Sequence, residues 1–197
     1  LQYAKRFSAK WNNIKVFSKK NEGVGAARNF LLDKAQGEYI WFVDSDDYIV
    51  DGCLTSILAE LSGDLDLLSV AYNDVQQRLF EGKGIDYIKE HLINGYLWSK
   101  IIKRKIIEEA SIRFESKRCS QEDWFFLMHV YPLLTYVKQI PLKAYVYCDD
   151  NKQSVMRGIG VEHKKKLVAD SLETICNFKV FINEIRNEPY VEVYEQW

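Results

Sequence analysis

The chain contains few of the residues that build metal centres and disulfide frameworks. Its 197 residues include four cysteines and three histidines. No two cysteines stand in a CxxC pair, and the histidines do not cluster with them. Because zinc sites and disulfide scaffolds need these residues in tight patterns, neither is expected, and a reducing compartment is indicated.

Strong charge of one sign and long apolar runs are also lacking. The formal net charge is -1, so no general affinity for nucleic acid is expected. The longest apolar run, residues 124–134, is interrupted by His129 and Pro132 and is typical of a buried helix. It falls short of the roughly 20 residues that cross a bilayer. With 47% hydrophobic and 14% aromatic residues, the chain can bury one substantial core.

Apolar spacing in the first part of the chain predicts helices that alternate with strands. The predicted elements are a helix over residues 1–11, a strand over 14–18, a helix over 25–36 with Gly37 as its C-cap, a strand over 39–43, a helix over 51–61 and a strand over 65–72. This alternation favours an α/β fold whose sheet is mainly parallel and flanked by helices.

The second part of the chain predicts more helix than strand. The predicted elements are a polar loop around Gly82 and Gly84, helices over residues 85–92, 98–110 and 121–134, edge strands over 136–139 and 143–147, and a long helix or helical pair over 161–186. We therefore divide the chain into a main domain, residues 1–150, and a helical C-terminal extension, residues 151–197.

Three acids at the end of a predicted buried strand are the most informative feature of the sequence. The apolar run 39–43 leads directly into Asp44, Asp46 and Asp47. Like charges this close raise one another's pKa unless a cation lies between them. Carboxylate oxygens at the carboxyl end of a strand suit Mg²⁺ or Mn²⁺, and those ions suit phosphates. The cluster therefore predicts a metal-assisted phosphate or nucleotide site.

The three acids allow other interpretations. Asp44 as the start of a turn and Asp47 as a helix cap remain open. A calcium-binding loop counted from Asp44 fails, because it needs other residues at Tyr48, Ile49 and Thr55. A phosphatase of the haloacid dehalogenase type has a similar strand and acid pair but expects Thr or Val at position 48. A dinucleotide-binding turn at residues 23–28 lacks a tight connection to the strand before it.

A glycine-rich segment, residues 21–29, precedes the acid cluster. Gly23 and Gly25 stand at a predicted helix start, where backbone N–H groups can approach an anion. Arg28, one turn into the helix, is expected to reach a phosphate or an acid of the Asp44 cluster. The alternative is an ordinary helix entry with a surface arginine.

A second acidic pair, Glu122 and Asp123, begins the predicted helix over residues 121–134. Acids in this position can simply stabilise the helix dipole. The functional interpretation is a general base, because a carboxylate beside an apolar wall has a raised pKa and can accept a proton from a hydroxyl.

Together, these segments closely resemble glycosyltransferase family 2. The matching letters are N-x-G-x-x-x-A-R-N from Asn21, G-E-Y-I-x-F-x-D-S-D-D from Gly37, and E-D-x-x-F from Glu122. Trp98-Ser99-Lys100 is similar to the family's W-x-K stretch, and Tyr145-x-Tyr147 with Ser154-Val155-Met156 is similar to its closing segment. The resemblance covers residues 21–157.

The resemblance implies a GT-A fold, which is a Rossmann-like mixed sheet flanked by helices, and an inverting transfer of sugar from a nucleotide-diphosphate donor, with UDP-sugars expected. The resemblance implies that Asp44 and Asp46 bind a divalent cation, Mn²⁺ or Mg²⁺, that Asp47 assists them, and that Asp44 also faces the ribose. It implies a donor site lined by Asn21, Gly23, Arg28 and Asn29. It also implies that Asp123 is the catalytic base, positioned by Glu122, and, more weakly, that Trp98 and Lys100 contact the acceptor.

Two departures from the family pattern affect these expectations. The family's opening strand and acidic nucleotide-base segment, expected before Leu1, are missing, so the sheet is expected to lack its first strand–helix units. Cys148 stands where relatives often carry arginine, which bears on contacts with the acceptor. The alternatives are a non-catalytic remnant or glycan-binding scaffold, and a hydrolase that uses the same acids on a phosphate ester.

The expected partners are a nucleotide-sugar donor and a glycan or lipid-linked acceptor, with no nucleic acid. Lysine-containing runs at residues 103–105 and 164–166 are expected to be solvated helix faces. A secondary hypothesis is that these runs rest on anionic lipid, which gives a peripheral membrane contact. The expected location is the cytoplasm or the inner face of the plasma membrane. The sequence does not define the oligomeric state.

Overall fold

The fold alternates helices with strands that form one mixed sheet. The computed structural model describes residues 2–115, 121–148 and 161–185. The helices are α1 Gln2–Lys10, α2 Val24–Leu32, α3 Cys53–Glu60, α4 Gly84–Lys89, α5 Arg104–Glu109, α6 Glu122–Val130 and α7 Val161–Ile185. The strands are β1 Tyr39–Trp41, β2 Tyr48–Ile49, β3 Leu67–Tyr72, β4 Phe80–Lys83, β5 Lys100–Lys103 and β6 Tyr136–Val146. Short 3₁₀ turns lie at Leu97–Ser99 and Tyr131–Leu133.

The sheet confirms the α/β class but corrects the expected parallel pairing. The strand order is β1-β5-β3-β6-β2, and β4 pairs with β6 beside that path. Among the described strands, β3 and β6 form the parallel pair, and the other pairings are antiparallel. The reason is that β5 inserts in reverse between β1 and β3. Strands β1, β3 and β6 still run in one direction, so their carboxyl ends share one edge of the sheet.

The acid-bearing segment, residues 42–47, joins the two ends of the strand order, because it connects β1 to β2. In a flat sheet these strands would lie about 19 Å apart, which is four strand spacings. The segment contains a tight turn, in which the Asp47 N–H donates to the Asp44 carbonyl over 3.2 Å. A segment shortened in this way reaches that distance only when the rest of it is fully extended, so the short connection favours a curled sheet.

Helices cover both faces of the sheet. Adjacent residues of β3 point to opposite sides, so Leu67 belongs to one core cluster and Leu68 to the other. The first cluster lies against α4 and α6 and contains Tyr87 and Phe126, which are fully buried. The second lies against α3. Burial on both faces explains why β3 is a continuous apolar run rather than an alternating one.

Several predicted elements of the first part are confirmed, and two are corrected. Helices α1 and α3 and strands β1 and β3 lie where the apolar spacing indicated. Residues 14–18 form no strand, because no described strand lies beside them to accept hydrogen bonds. Helix α2 ends at Leu32, with Asp33 as C-cap, so the assignment of Gly37 as the cap was wrong.

The second part holds larger corrections. The stretch predicted as a helix over residues 98–110 is a 3₁₀ turn, then β5, then the short helix α5. The predicted polar loop at residues 82–84 contains the end of β4. The two predicted edge strands are a single strand, β6, which lies inside the sheet between β3 and both β2 and β4. Its register against β3 shifts between Val70 and Tyr72, where the irregularity accommodates Pro141.

The predicted C-terminal helix is present as α7, which contacts α6 and buries Asp170 and Thr174. The predicted domain boundary at residue 150 and the segment 154–156 lie outside the described residues. In the part of the chain that the structure describes, no helix is both long enough and apolar enough to cross a membrane.

Candidate active site

Arg28 lies at the centre of the candidate site and bridges acids from two distant parts of the chain. One terminal nitrogen donates to Asp44 Oδ1 over 2.9 Å. The other donates to Glu122 Oε1 over 3.3 Å and to Asp123 Oδ1. The arginine is only 7% exposed, whereas its acidic partners are partly accessible to water. The expectation that Arg28 reaches an acid of the Asp44 cluster is confirmed.

The start of α2 fixes the position of Arg28. Gly23 has φ of 92°, a left-handed value that suits glycine, and its N–H donates to Asn21 Oδ1 over 3.2 Å. Gly25 packs so closely on the chain opposite that an added Cβ would lie 3.1 Å from the Glu115 carbonyl oxygen. The helix entry is therefore shaped by contacts with its own protein.

A second attachment holds α2 one turn further on. The Asn29 side chain donates to the Phe114 carbonyl and accepts from the Phe114 N–H, each over 2.8 Å. The Phe114 ring lies 5.3 Å from the Arg28 guanidinium carbon, a cation–π distance. Both polar ends of the Asn29 amide are thus bound to the backbone, which assigns this side chain a structural role in the present arrangement.

The turn that carries the acids is tied to β6 through Tyr145. The Tyr145 hydroxyl donates to Asp47 Oδ2 over 2.6 Å and accepts from the Asp44 N–H over 3.1 Å. The other Asp47 oxygen accepts from the Cys148 N–H over 2.8 Å. Both oxygens of Asp47 therefore have protein donors, and its role is to hold the turn, whereas Asp46 is exposed.

The start of α6 presents Glu122 and Asp123 to the same arginine. Burial raises the pKa of Asp123 to about 7. The opposite charge of Arg28 limits this rise, while the nearby carboxylates of Glu122 and Asp44 add to it. The pKa of Arg28 is lowered by burial, but the charges of Asp123 and the other acids outweigh that effect and raise it overall. Asp123 is thus a carboxyl group that titrates near neutral pH, as a general base requires.

An aromatic cluster adjoins the acid turn. Trp98 stacks on Tyr96, Tyr145 and Tyr147 at centroid distances of 5.1, 4.8 and 5.7 Å. Tyr72 meets the Trp98 ring edge-on at 4.5 Å. Trp98 itself is only 7% exposed, whereas Tyr96 is 47% and Tyr147 is 38% exposed. The accessible rings of this cluster therefore belong to tyrosines.

Lys100 is fully buried beneath this cluster. Its Nζ donates to Asn94 Oδ1 over 3.0 Å and to Ser99 Oγ over 2.7 Å. Burial lowers its pKa to about 7. Because its nitrogen bonds to the loop 94–99, Lys100 anchors that loop from inside.

The structure thus brings together Arg28, Asp44, Glu122 and Asp123, while Asn21 and Asn29 bind backbone groups. Among residues 2–115, 121–148 and 161–185, no group of three histidine, cysteine or acidic side chains is placed to hold a metal ion. Two carboxylates still fit Mg²⁺ or Mn²⁺, because these ions usually take one or two protein carboxylates together with substrate phosphates and water. Asp44 and Asp46 are the two carboxylates that the sequence predicts for such an ion.

Sequence reasoning missed the supporting residues Asn73, Asn94 and Tyr96. Asn73 follows β3 with φ of 44°, and its side chain binds the N–H and the carbonyl of Tyr147 over 2.8 and 3.1 Å. The available signal was an asparagine directly after a buried strand, a residue type that tolerates left-handed backbone.

A curled mixed sheet between helices, with acids at the carboxyl edge, is the GT-A architecture that the sequence implied. The family model for glycosyl transferase family 2 matches residues 1–118. The chain belongs to this family.

Relatives in this family have been named for several sugars and acceptors. A cholesterol galactosyltransferase of Borreliella burgdorferi is 26% identical over 213 residues, which cover 95% of this chain and 58% of the relative. TarS of Staphylococcus aureus, a poly(ribitol-phosphate) beta-N-acetylglucosaminyltransferase, is 26% identical over 210 residues, which cover 90% of this chain and 37% of the relative. The chain therefore spans little more than half, or less, of the length of these relatives.

Solved structures of TarS share the fold. The crystal structure of S. aureus TarS matches with a TM-score of 0.69 at 23% identity, over 92% of this chain and 31% of that one. A TarS structure in complex with UDP-GlcNAc matches with a TM-score of 0.66 at 22% identity, over 81% of this chain and 48% of that one. The expected GT-A fold is therefore confirmed.

Proposed function

We propose that this chain is the catalytic part of an inverting glycosyltransferase that moves a sugar from a UDP-linked donor to a hydroxyl group of a glycan or lipid-linked acceptor. The observation that carries the proposal is the buried Arg28, which joins Asp44, after β1, to Asp123, at the start of α6. Through these two ion pairs Arg28 connects Asp44, the proposed donor-side acid, with Asp123, the proposed base. The names of the relatives and the UDP-GlcNAc complex of TarS support this choice of donor.

The reaction would proceed as one displacement. The acceptor hydroxyl oxygen forms a bond to the anomeric carbon as the bond between that carbon and the diphosphate oxygen breaks. The hydroxyl proton passes to Asp123, whose pKa of about 7 lets it accept a proton near neutral pH. Glu122, on the same turn of α6, shares Arg28 with Asp123 and holds the base in place.

The charge of the departing diphosphate needs stabilisation on the opposite side. A divalent cation bound by Asp44 and Asp46 would supply positive charge there. Asp47 and Tyr145 hold the turn that presents these two carboxylates. Arg28 pairs with Asp44 over 2.9 Å, so it also lies within reach of a diphosphate bound at this turn.

A membrane contact through α7 completes the proposal. The exposed lysines Lys164, Lys165 and Lys166 precede the exposed apolar residues Val168 and Leu172 on α7. Such a face suits peripheral association with anionic lipid at the cytoplasmic side, and raised salt would release it from liposomes. Retention at high salt, or no association at low salt, would contradict this contact.

The proposal is tested by titrating UDP and UDP-GlcNAc into the protein, with and without Mn²⁺. Asp46→Asn is expected to remove the Mn²⁺-dependent part of donor binding, because one of its two carboxylate ligands is lost. Asp123→Asn is expected to leave donor binding intact and to lower turnover by about 10²- to 10⁴-fold, the usual effect of losing a general base.

Two outcomes would overturn these assignments. Unchanged Mn²⁺-dependent binding by Asp46→Asn would reject the metal role of that residue. Near-normal turnover by Asp123→Asn would reject the base. A folded protein that binds no nucleotide sugar would favour the alternative of a non-catalytic, glycan-binding relative.

A further inference from the structure

The aromatic cluster around Trp98 lies between the two halves of the candidate site. On one side, Tyr145 stacks on Trp98 and bonds through its hydroxyl to Asp47. On the other side, Gly95 packs so closely on Trp124 that an added Cβ would lie 3.1 Å from its ring. Trp124 directly follows Asp123 in α6. The cluster is therefore connected to the acid turn and to the proposed base.

The topology explains why these rings gather at this edge. Strands β1, β3 and β6 run in one direction, so Asp44, Tyr72 and Tyr145 all lie at the carboxyl ends of their strands. Tyr145 and Tyr147 are two residues apart, and both stack on Trp98 because alternate residues of an extended chain share a face. The cluster thus belongs to the same edge as the donor-side acids.

Side-chain hydrogen bonds hold the backbone that carries the two exposed rings. The Asn73 side chain binds the backbone of Tyr147 at both its N–H and its carbonyl. The Tyr96 N–H donates to Asn94 Oδ1 over 3.0 Å, and the same oxygen accepts from the buried Lys100. Rings that stand on a fixed backbone and also stack on Trp98 lose little entropy when a ligand stacks on them, which favours binding.

The chemistry of the surface selects among ligands. A tyrosine ring offers an apolar face and a hydroxyl, which match the C–H face and the hydroxyl groups of a sugar ring. A phosphate-rich polyol would need basic side chains, but residues 92–99 contain no lysine or arginine and Lys100 is buried. A sterol would need a wide aliphatic groove, whereas the accessible rings here carry hydroxyls.

We infer that Tyr96 and Tyr147 form a stacking platform for a pyranose ring of the acceptor glycan, with the buried ring of Trp98 packed beneath them. This inference rests on the proposed function, since it assigns the acceptor side of the same site. It moves the expected acceptor contact from Trp98 to its tyrosine neighbours. It also makes Lys100 a positioning residue, because its nitrogen holds the loop rather than the ligand.

The test measures glycan binding directly, with no requirement for turnover. Cellotriose, chitotriose and galactotriose are titrated against the protein by saturation-transfer NMR in the presence of UDP and Mn²⁺. Tyr96→Ala and Tyr147→Ala are each expected to weaken binding of the preferred trisaccharide about three- to tenfold, the range for loss of one aromatic contact. Tyr96→Trp should restore it, because the stacking face is kept.

The matched control is Tyr3→Ala, which removes an aromatic ring that is 76% exposed on α1, away from the cluster. It should change neither glycan nor UDP binding. Titration of UDP with the same variants separates this inference from the proposed function. Tyrosine-dependent glycan binding without UDP binding would support the platform and reject the transferase. UDP binding combined with unaltered glycan affinity in Tyr96→Ala and Tyr147→Ala would reject the platform alone.

Two further results would overturn the platform. One is that no pyranose trisaccharide binds the wild-type protein. The other is that poly(ribitol phosphate) or cholesterol in detergent micelles binds in place of the trisaccharides and is lost in Tyr96→Ala. Those acceptors correspond to the names of the relatives and belong to different chemical classes.

Discussion

At the scale of single residues, the site depends on one arginine shared by three carboxylates. Arg28 is 7% exposed, and each of its acidic partners comes from the acid turn or the start of α6. Removing one partner of such a buried group leaves the others without compensation, which is more damaging than the loss of a surface ion pair. Loss of Arg28 should therefore act most strongly on Asp123, because Arg28 lowers the pKa of that carboxyl group.

Substitution Arg28→Gln should move the pH dependence of catalysis upward. The proposed base, Asp123, must be deprotonated to act, so kcat/KM in the wild type should rise with pH through about 7. Arg28 lowers the pKa of Asp123, so its removal should raise the pKa and shift the midpoint of the profile to higher pH. The measurement is kcat/KM against pH.

A matched control is Arg113→Gln, since Arg113 pairs over 3.0 Å with Asp33 at the surface, where both side chains are exposed. That variant should leave the midpoint unchanged. A midpoint that stays in place, or falls, in Arg28→Gln would contradict the role of Arg28 in setting the pKa of Asp123.

The same pKa shift has a consequence for stability with a definite sign. The pKa of Asp123 is 3.8 as an unperturbed group and about 7 in the folded chain. A group with a raised folded pKa contributes stability that is complete below the unfolded value and is lost as pH rises through the folded value. Asp123 therefore opposes folding more strongly at pH 8 than at pH 4, because its buried carboxylate is then charged.

At the scale of secondary-structure elements, close backbone contacts limit which residues can stand at element ends. Gly84 begins α4, and a Cβ added there would lie 2.1 Å from the Leu134 carbonyl oxygen, which belongs to backbone and cannot rotate away. The Gly84 N–H also donates to the Thr135 carbonyl over 3.1 Å, so α4 is fixed against the entry of β6.

Gly84→Ala should therefore lower the free energy of unfolding by about 1–3 kcal/mol, the usual cost of overpacking, measured by urea denaturation. Gly63→Ala is its matched control, because nothing lies within 4 Å of an added Cβ at that position. The control should change stability by less than about 0.5 kcal/mol. Equal stability of the two variants would show that the contact between α4 and Leu134 relaxes freely.

Prediction from sequence succeeded for elements whose apolar pattern had one explanation. Helix α3 has apolar residues at helical spacing, and β3 is a short continuous apolar run typical of a strand buried on both faces, so both lie where expected. The stretch 98–110 failed because its apolar residues also fit helical spacing, and only pairing with β1 and β3 makes residues 100–103 a strand. The sequence predicts two short strands in place of β6, because prolines are rare inside central strands and Pro141 lies in the middle of this one.

The candidate site was predictable to a similar extent. The acids and Arg28 could be found because they stand in short motifs whose chemistry is visible in the residue types. The supports could not, since the bonds of Asn29 to Phe114 and of Asn73 to Tyr147 join positions that only the folded chain brings together. The exposure of Tyr96 over Trp98 likewise depends on packing that apolar spacing does not encode.

At the scale of the whole molecule, the acid turn connects the two ends of the curled sheet. Its ends continue into β1 and β2, which lie at the two ends of the strand order, and the Tyr145 hydroxyl ties its middle to β6. The connection between the two ends of the strand order and the arrangement of the acids therefore depend on the same turn, and weakening the tie should loosen both.

Tyr145→Phe removes that hydroxyl and keeps the ring that stacks on Trp98. We expect stability to fall by about 1–3 kcal/mol, because the Asp44 N–H and one Asp47 oxygen lose their partner. Hydrogen exchange of the amides in residues 42–50 should accelerate, and Mn²⁺-dependent UDP binding should weaken.

The matched control is Tyr136→Phe, on the same strand, whose hydroxyl donates to Glu81 at an exposed position. It should leave both the exchange of residues 42–50 and UDP binding unchanged. If the amides of residues 42–50 exchange in Tyr145→Phe as they do in the wild type, other contacts hold the turn and the hydrogen bonds of the Tyr145 hydroxyl do not.

The strand order also determines when the site can form as the ribosome makes the chain. Strand β1 pairs with β5, and β2 pairs with β6, so the partners on either side of the acid turn are synthesised long after the turn itself. Contacts between such distant segments form slowly, because a long loop must close first. A nascent chain released before residue 145 would carry every acid of the turn but would lack Tyr145 and the end of β6 that pairs with β2. Premature termination there therefore removes the contacts that hold the acid turn against the sheet.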